Sequence, residues 1–505
     1  AKPDNGIPVA IIGSGPAGLT CAYYLVNDGY RPTVFEALPE TGGMLRYGIP
    51  EYRLPKDVLD KEINWILDLG VELRTNQTLG KDFTIDDLFK RGYRAVFVGL
   101  GAQVGKPMQV EGEDVDGVLS GVEFLKQVQM KSNPPIKGRV VVVGGGNTAI
   151  DAARTSLRLG ADEVILLYRR TRTEMPANMM EIEAAEHEGV KMEFLAAPIR
   201  VNVENNRMAS LTCIRMELGE PDSSGRRRPV EVKNSDYILK ADWVISAIGQ
   251  EPDLTGVDGN SGGLKVTKWK TIVAKDGTFD TDRPGVFSGG DVVTGPADAI
   301  DAIAAGRMAA RAIDKYVKTG VVEPLVDRFE SKRDNFHKMQ RSDIPNVQES
   351  ERHHVKEMPV AERIRTFKEV EFAYDDQTAI EESLRCAECG CDVGLACILQ
   401  DYCTEYGVDQ KRFVGDYNKY KVDTRHPFIK IDSNKCIRCG RCVSTCAEIL
   451  NVSALGFVNR GFRTIVKPAI EKALQETNCV SCGNCIDVCP TGALVEKMPF
   501  RRVGP

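Results

Sequence analysis

Thirteen of the fifteen cysteines lie between Cys386 and Cys489, and eight of these form two runs of one spacing. The runs are Cys436-Ile-Arg-Cys439-Gly-Arg-Cys442-Val-Ser-Thr-Cys446 and Cys479-Val-Ser-Cys482-Gly-Asn-Cys485-Ile-Asp-Val-Cys489-Pro490. Thiols packed this densely leave a backbone few options. Structural zinc takes two cysteines from each of two separated knuckles, so three per run plus a fourth is one too many. A disulfide framework belongs to secreted chains, whereas the sequence reaches its first strand at Val9 with nothing before it that reads as a signal peptide. Short loops instead suit a cubane, because three thiolates can reach three irons of one compact cluster. The chain is expected to move single electrons.

The spacing is that of bacterial two-cluster ferredoxins, in which the fourth cysteine of each run serves the other run's cluster. The expected sets are Cys436, Cys439 and Cys442 with Cys489, and Cys479, Cys482 and Cys485 with Cys446. A third group, Cys386, Cys389, Cys391 and Cys397, reads as a further 4Fe–4S site, with Cys403 spare. Its spacing is less diagnostic. Zinc and another cluster type stay open for it, and Cys403 in place of Cys391 is the alternative ligand. Cys21 and Cys213 are isolated and read as packing residues.

Composition narrows the class. The 505 residues are enough for three or four domains, and 42% apolar with 27% charged residues is the balance of a soluble globular protein. A net charge of −6 without a long basic block argues against nucleic acid. No apolar run approaches a membrane span. Clustered thiols without a leader point to a reducing, cytoplasmic setting.

Two nucleotide-binding patterns precede the cysteines. In Val9-Ala-Ile-Ile-Gly13-Ser-Gly15-Pro16-Ala17-Gly18 a buried strand runs into a glycine turn and then a helix. The glycines allow a tight turn, close approach of a pyrophosphate and tight helix packing, and the helix N-terminus favours the anion. Glu36, ending the next strand, is placed for a ribose. A second unit begins at Arg139-Val-Val-Val-Val-Gly144-Gly-Gly146-Asn147-Thr148. Its second strand ends in Arg169-Arg170 where an acid would stand, which favours a 2′-phosphate and hence NADP(H). The first site is then expected to hold FAD. The chain next returns to the first fold: Asp242–Gly249 reads as a strand and turn, and Arg283–Gly290 as a strand ending at Asp291. A small-residue helix from Ala299 follows. Asp291 is placed for the flavin's ribityl chain, with the helix N-terminus near the ring.

These residues together resemble the small flavoprotein subunit of bacterial NADPH-dependent glutamate synthase and its relatives, among them the large subunit of the electron-bifurcating ferredoxin–NADP transhydrogenase. The motifs are the Gly13–Gly18 loop, Thr41–Pro50, Tyr52–Lys56, Gly144–Asp151, Tyr168–Arg170, Glu174–Ala177 and Gly289–Asp291. The resemblance covers residues 5–320. It implies FAD held by Gly13, Gly15, Pro16, Ala17, Gly18, Glu36, Gly43, Leu45, Arg53, Gly290, Asp291 and Ala299. NADP(H) would be held by Gly144, Gly146, Asn147, Thr148, Arg169 and Arg170, with hydride transfer between the two. That family carries its cysteine-rich module before the flavin domain; here the cysteines follow it. From Cys386 onward the chain resembles the iron–sulfur region of iron-only hydrogenases, some formate dehydrogenases and a large complex I subunit, through Cys397-Ile-Leu-Gln-Asp401, His426-Pro-Phe-Ile429 and Cys439-Gly-Arg-Cys442. His426 is expected to be a structural hydrogen-bonding residue.

The expected fold is α/β. An FAD domain (residues 1–120 and 250–320) carries an inserted NADP(H) domain (121–249), both Rossmann-like. A partly helical connector (321–385) wraps the flavin fold. A cysteine-rich module (386–430) and a ferredoxin-like α+β domain with two clusters (431–505) follow. No acid, base or nucleophile is required; the protein binds and orients its cofactors. The cluster at Cys386 is expected nearest the flavin, with the ferredoxin pair leading to a partner. The leading expectation is an NADP(H)-dependent subunit of a bifurcating NADH/ferredoxin–NADP transhydrogenase. Its partners would be an NADH-dehydrogenase-like flavoprotein or ferredoxin-like iron–sulfur proteins, free ferredoxin included. An NADPH-oxidising input subunit of a glutamate synthase, hydrogenase or formate dehydrogenase is the alternative. A non-catalytic electron-transfer scaffold is the alternative of another class.

Overall fold

A computed structural model describes residues 2–221, 225–257, 263–324, 328–331, 338, 340, 342, 349–386, 397–412, 415–416 and 418–497. The chain divides into two units, Ala1–Leu325 with Val355–Ala373, and Val326–His354 with Tyr374–Pro505. Among the described residues, no helix is long and apolar enough to cross a membrane.

The first unit is built on two five-stranded parallel sheets of like design. One has the order Val286–Ser288, Ala95–Val98, Pro8–Ile12, Arg31–Phe35, Glu72–Arg74. The other runs Val118–Ser120, Trp243–Ser246, Arg139–Val143, Glu163–Tyr168, Lys191–Phe194. Their central strands, Pro8–Ile12 and Arg139–Val143, are apolar but for Arg139 at an end, because both faces are covered. Val9 and Ile11 join one core while Ala10 and Ile12 join the opposite one. Val140 and Val142 part from Val141 and Val143 in the same way. An antiparallel sheet of Ala196–Glu204, Arg207–Pro221, Arg227–Glu231 and Tyr237–Lys240 is added to the second domain.

Two sequence expectations shift here. Trp243–Ser246 is an inner strand of the second sheet, not the start of the return to the first. The second sheet also takes in Val118–Ser120, ahead of residue 121, and the two domains are joined by the short ribbon Val104–Gly105 with Gln250–Glu251. A single β-rich strand such as Asp242–Gly249 reads alike in either sheet, and only pairing assigns it.

The connector is also divided. Its residues 355–373 fold onto the first unit, while 374–385 belong to the second. The strap is closed by Met358 N–H to Val370 O (2.8 Å) and Phe372 N–H to Lys356 O (2.8 Å), and Val370 N–H donates to Tyr52 O (3.2 Å). At its centre a buried ion network replaces the apolar packing a connector would use. Glu188 receives Arg154 (2.7 Å), Arg158 (2.6 Å) and the strap's Arg363 (3.1 Å), all four side chains at most 3% exposed. The Arg158 guanidinium lies 3.9 Å from the Tyr52 ring centroid, and its Nε donates to Thr366 O at 3.1 Å. Burial alone would raise the Glu188 pKa, but hydrogen bonds from Arg158 and Arg154 outweigh it and hold the group below its ordinary value. With a depressed folded pKa, this stabilisation is present at neutral pH and is lost as pH falls below the usual glutamate range.

The second unit, in its described residues, holds two small antiparallel ribbons, Ile429–Ile431 with Leu494–Glu496 and Gly456–Val458 with Ile465–Lys467. Its core mixes Ile429, Ile431, Leu455, Val466 and Leu494 with Cys442, Cys446 and Cys485. Cysteines make up much of so small a core.

Removing the anion from the arginine network should be costly. Glu188→Gln leaves three buried guanidiniums facing a neutral amide, and breaking a buried pair in this way costs about 3–5 kcal/mol. The expected outcome is a lowered urea midpoint for the first unit. An unchanged midpoint would show that the network contributes nothing net.

Candidate cofactor sites

At the first site, strand Pro8–Ile12 ends in Gly13 and helix Pro16–Asn27 starts behind Gly15. Gly13 has φ +100°, and a Cβ there would lie 2.4 Å from Gly99 O. A Cβ on Gly18 would lie 1.9 Å from Gly13 O, so the helix closes on the strand only with glycine at that position. Glu36 is buried beside this turn. Its carboxylate accepts Ser14 N–H (3.0 Å) and Ser14 Oγ–H (2.6 Å) with one oxygen, and Leu38 N–H (2.9 Å) with the other. Gly43 closes over the turn, a Cβ there lying 2.8 Å from Gly15 Cα. Leu45 lends its carbonyl to Lys56 Nζ (3.1 Å), which also donates to Ile49 O and Leu54 O. Gly290 abuts Ala17, and a Cβ on Gly306 would lie 2.2 Å from Ala17 O, so the Ala299–Thr319 helix packs directly on the first helix. Asp291 opens a short helix, where burial pushes its carboxyl up to about 6 against the pull of the Ala297 N–H. The loop thus brings Gly13, Gly15, Pro16, Ala17, Gly18, Glu36, Gly43 and Gly290 together.

Arg53, expected at the flavin, also bridges to the second domain, with Nη1 donating to both Asp151 oxygens (2.8 Å each) and Nε facing Glu181 (3.0 Å). A guanidinium with two carboxylates in reach has its donors committed.

At the second site Gly144 (φ +144°) turns the chain beneath Ala247, and Gly146 caps helix Asn147–Arg158. A Cβ on Gly145 would strike the Tyr168 ring at 2.5 Å. A cavity of about 650 Å³ opens over this turn, lined by Gly144–Thr148, Arg169, Arg170 and Ala247–Gln250 and reaching Pro296–Asp298. Asn147 and Thr148 are already engaged, Asn147 Oδ1 accepting Asn178 N–H (3.0 Å) and Thr148 Oγ1 accepting Gln250 Nε2–H (3.2 Å). The two arginines differ. Arg169 is exposed, while Arg170 is buried with its Nε donating to Arg227 O at 2.8 Å. Arg226, beside the Arg227–Glu231 strand, also lines the cavity. Sequence reading missed it, although the run Arg226-Arg-Arg228 after Gly225 was a visible basic turn.

In the second unit, Cys436, Cys439, Cys442 and Cys489 line one hollow, and Cys446, Cys479, Cys482 and Cys485 line another. Among the described residues, no three Cys, His, Asp or Glu side chains converge on a single-ion site. Amides point at sulfur in both loops at 3.4 Å, Arg438 N–H at Cys436 and Ser481 N–H at Cys479. Burial pushes the Cys442 thiol up to about 11 and the Cys485 thiol up to about 12. His426 is buried, and its Nδ1 accepts Phe428 N–H (3.1 Å) and Ile429 N–H (3.0 Å). Its remaining proton is therefore on Nε2, which lies 3.2 Å from Ser481 Oγ and 4.0 Å from Cys479 Sγ. Burial, with Lys497 nearby, lowers its pKa.

Of the third group, Cys389 and Cys391 lie outside the described residues. Cys386 is exposed, and Cys397 begins the Ile398–Glu405 helix that carries Cys403. Cys397 Sγ lies 3.9 Å from Pro490 O, beside the end of the second run. Cys21 and Cys213 are buried; burial raises both thiols, Cys213 to about 12.

The shared hollows make a specific expectation. Cys489→Ser should remove iron from the hollow of Cys436, Cys439 and Cys442 and spare the other, read by iron content and by electron paramagnetic resonance of the reduced protein. Loss of the Cys479-run signal instead would mean that each run holds its own cluster.

Comparison with known proteins agrees with this layout. Residues 7–306 match the pyridine nucleotide-disulphide oxidoreductase family, and residues 426–495 match the ferredoxin-like domain of NADH-quinone oxidoreductase subunit 3. The chain is 44% identical over 395 residues to the NADP(+)-dependent formate dehydrogenase subunit beta of Moorella thermoacetica, covering 76% of this chain and 55% of that protein. It is 41% identical over 420 residues to the NADPH-Fe(3+) oxidoreductase subunit beta of Geobacter sulfurreducens, covering 77% and 62%. The chain thus spans less than two thirds of the length of either. The glutamate synthase [NADPH] small chain of Escherichia coli is 38% identical over 330 residues, covering 62% of this chain and 69% of that one. The FprA structure from Mycobacterium tuberculosis shares the fold, with a TM-score of 0.54 at 19% identity over 64% of this chain and 87% of FprA. The chain carries FAD, NADP(H) and 4Fe–4S chemistry and belongs to the pyridine nucleotide-disulphide oxidoreductase family.

Proposed function

We propose that this chain is the NADPH-side subunit of a multi-subunit oxidoreductase, passing electrons between NADPH and a partner protein. The observation that carries the reading is the joint presence, in one chain, of two glycine-turn dinucleotide sites and two four-cysteine hollows. When bound, NADP(H) and FAD exchange electrons in pairs and the clusters singly, so the chain converts between two-electron and one-electron carriers. Gly144–Gly146 and the Asn147–Arg158 helix N-terminus receive the pyrophosphate of NADP(H). Arg169 supplies charge for the 2′-phosphate, and Arg170, fixed through Arg227 O, holds the strand end beneath it. Gly13, Gly15 and Gly18 receive the FAD pyrophosphate, with Glu36 set by three hydrogen bonds. The cysteine sets read from the two runs hold the two ferredoxin-type clusters, and the Cys386 group a third.

Within this reading, an electron-input or electron-output role in a larger dehydrogenase or reductase is favoured over a bifurcating transhydrogenase. The Moorella and Geobacter relatives are each named as a beta subunit of such an enzyme. A non-catalytic scaffold is disfavoured by the intact glycine turns at both sites.

Mixing the cofactor-loaded chain with NADPH under anaerobic conditions tests the reading. Stoichiometric bleaching of the flavin, followed by the clusters, is expected; no bleaching would overturn it. Replacing Arg169 and Arg170 with glutamine should weaken NADPH about 10–100-fold, the loss of one or two charge-assisted hydrogen bonds, with little effect on NADH. Equal loss for both nucleotides would show that neither arginine reads the 2′-phosphate.

A further inference from the structure

The two cysteine hollows have matching mouths with different side chains. In the first, Ile437, Arg438, Gly440 and Arg441 stand where the second has Val480, Ser481, Gly483 and Asn484. The backbones agree closely: Arg438 and Ser481 have φ +59° and +56°, Gly440 and Gly483 +77° and +79°. Each mouth places one cysteine at the surface, Cys439 or Cys482, beside an exposed aliphatic residue, Ile437 or Val480. What differs is charge and aromatic cover.

Around the first mouth, the ribbon Gly456–Val458 with Ile465–Lys467 folds over the cysteine loop. The Phe457 ring would touch a Cβ placed on Gly440 at 3.3 Å, and Arg438 Nη2 donates to Phe462 O at 3.3 Å. The turn of that ribbon carries Arg460, Phe462 and Arg463. Phe457 and Phe462 are nevertheless 50% and 58% exposed. Residues 433–447 and 454–470 contain Arg438, Arg441, Arg460 and Arg463 and not one carboxylate, in a chain whose net charge is −6. All four arginines are exposed. Two exposed aromatic rings and four exposed arginines on the ribbon and the loop of a surface cysteine form an interface composition, since aromatic residues and arginine are enriched where proteins bind.

We propose that the mouth formed by Ile437–Arg441 and the Arg460–Arg463 turn docks a small acidic iron–sulfur electron carrier. The argument for this occupant is charge complementarity: the patch is basic against an acidic chain, and steering by opposite charge sets the on-rate of small, transient electron-transfer contacts. One electron crosses between the carrier and this chain, one being oxidised as the other is reduced, and no bond or proton changes hands. The proposal rests on Cys436, Cys439, Cys442 and Cys489 holding a cluster. The second mouth, with Ser481 and Asn484 in place of arginines, is not the docking face.

The test uses the cofactor-loaded full chain and a dithionite-reduced acidic two-cluster ferredoxin as the probe. Stopped-flow spectroscopy gives the second-order rate of electron delivery, and titration calorimetry gives the affinity, each at low and high salt. Arg438→Glu with Arg441→Glu, and separately Arg460→Glu with Arg463→Glu, should lower both quantities about tenfold or more at low salt and flatten the salt dependence. The milder glutamine variants should fall between, and retained iron content separates lost docking from a lost cluster. Asn484→Glu at the matching mouth should leave docking as it was. Arginine variants that bind and react like the parent, an equal loss from Asn484→Glu, or a parent chain that does not bind the ferredoxin would each overturn the proposal. The donor is ferredoxin, so the measurement does not depend on NADPH. Failure of NADPH to bleach the flavin would count against the proposed function and leave the docking result standing.

Discussion

Backbone must touch backbone at the ends of the central strands, and this contact governs most of the first unit. Gly18 meets Gly13, Gly306 meets Ala17, and Gly144 meets Ala247 at separations where any side chain would intrude. The Gly18 contact lets the first helix lie directly on its strand and turns that helix's unpaired N–H groups toward the space a phosphate would occupy, while the Gly306 contact lays one helix on another. The small-residue face of the Ala299–Thr319 helix follows from the same demand, with Ala302, Ala309 and Ala310 buried against the first helix. Two sheets with one strand plan result, each with its opening at the glycine turn.

Joining the sheets is left to charge. The ribbon at Val104–Gly105 and Gln250–Glu251 is only two residues deep on each side. Arg53 reaches from the first domain to Asp151 and Glu181 of the second, and the strap's Arg363 adds a third guanidinium to Glu188. The Tyr52 ring centroid lies 3.9 Å from the Arg158 guanidinium, and the Tyr52 carbonyl receives Val370 N–H. An apolar seam would tolerate sliding. A buried carboxylate shared by three guanidiniums does not, because any displacement leaves a charge without a partner. The domains are therefore registered by a few directional contacts, at a place where the cavity over Gly144–Thr148 needs Pro296–Asp298 from the first domain as part of its wall.

What could be read from the sequence follows the range of the interaction. The glycine turns, Glu36 and the two cysteine runs are local patterns in which a few neighbouring residues fix both conformation and chemistry, and the structure brings those residues together. The bridging role of Arg53 was not legible because its motif is local but its partners are about 100 and 130 residues away, at Asp151 and Glu181. Trp243–Ser246 was grouped with the return to the first fold even though the boundary at 249 put it in the second domain, since period and composition do not name a strand's neighbour. The strap at 355–373 has little apolar patterning to find; it is held by Arg363 and by backbone groups. Arg226 left a signal in Arg226-Arg-Arg228, but only the folded hairpin turns it toward the cavity.

The ferredoxin-like unit shows how one backbone can be given two roles. The cysteine loops share their left-handed positions, their amide-to-sulfur contacts and their exposed aliphatic residue. Such agreement means that cluster binding constrains the cysteines, the glycines and the loop conformation, and leaves the residues between them free. Those free positions carry the asymmetry. Ser481 turns toward the buried His426, which ties the second loop into the unit's interior. Arg438 instead reaches Phe462 of the ribbon turn and stays at the surface. One loop is thus anchored inward by a neutral hydrogen bond, and the other faces outward with exposed charge. With one cluster in each hollow the unit would have two ends, and an electron path needs those ends to be distinguishable. In this chain the distinction is written in the two residues between cysteines, where it costs the cluster-binding backbone nothing.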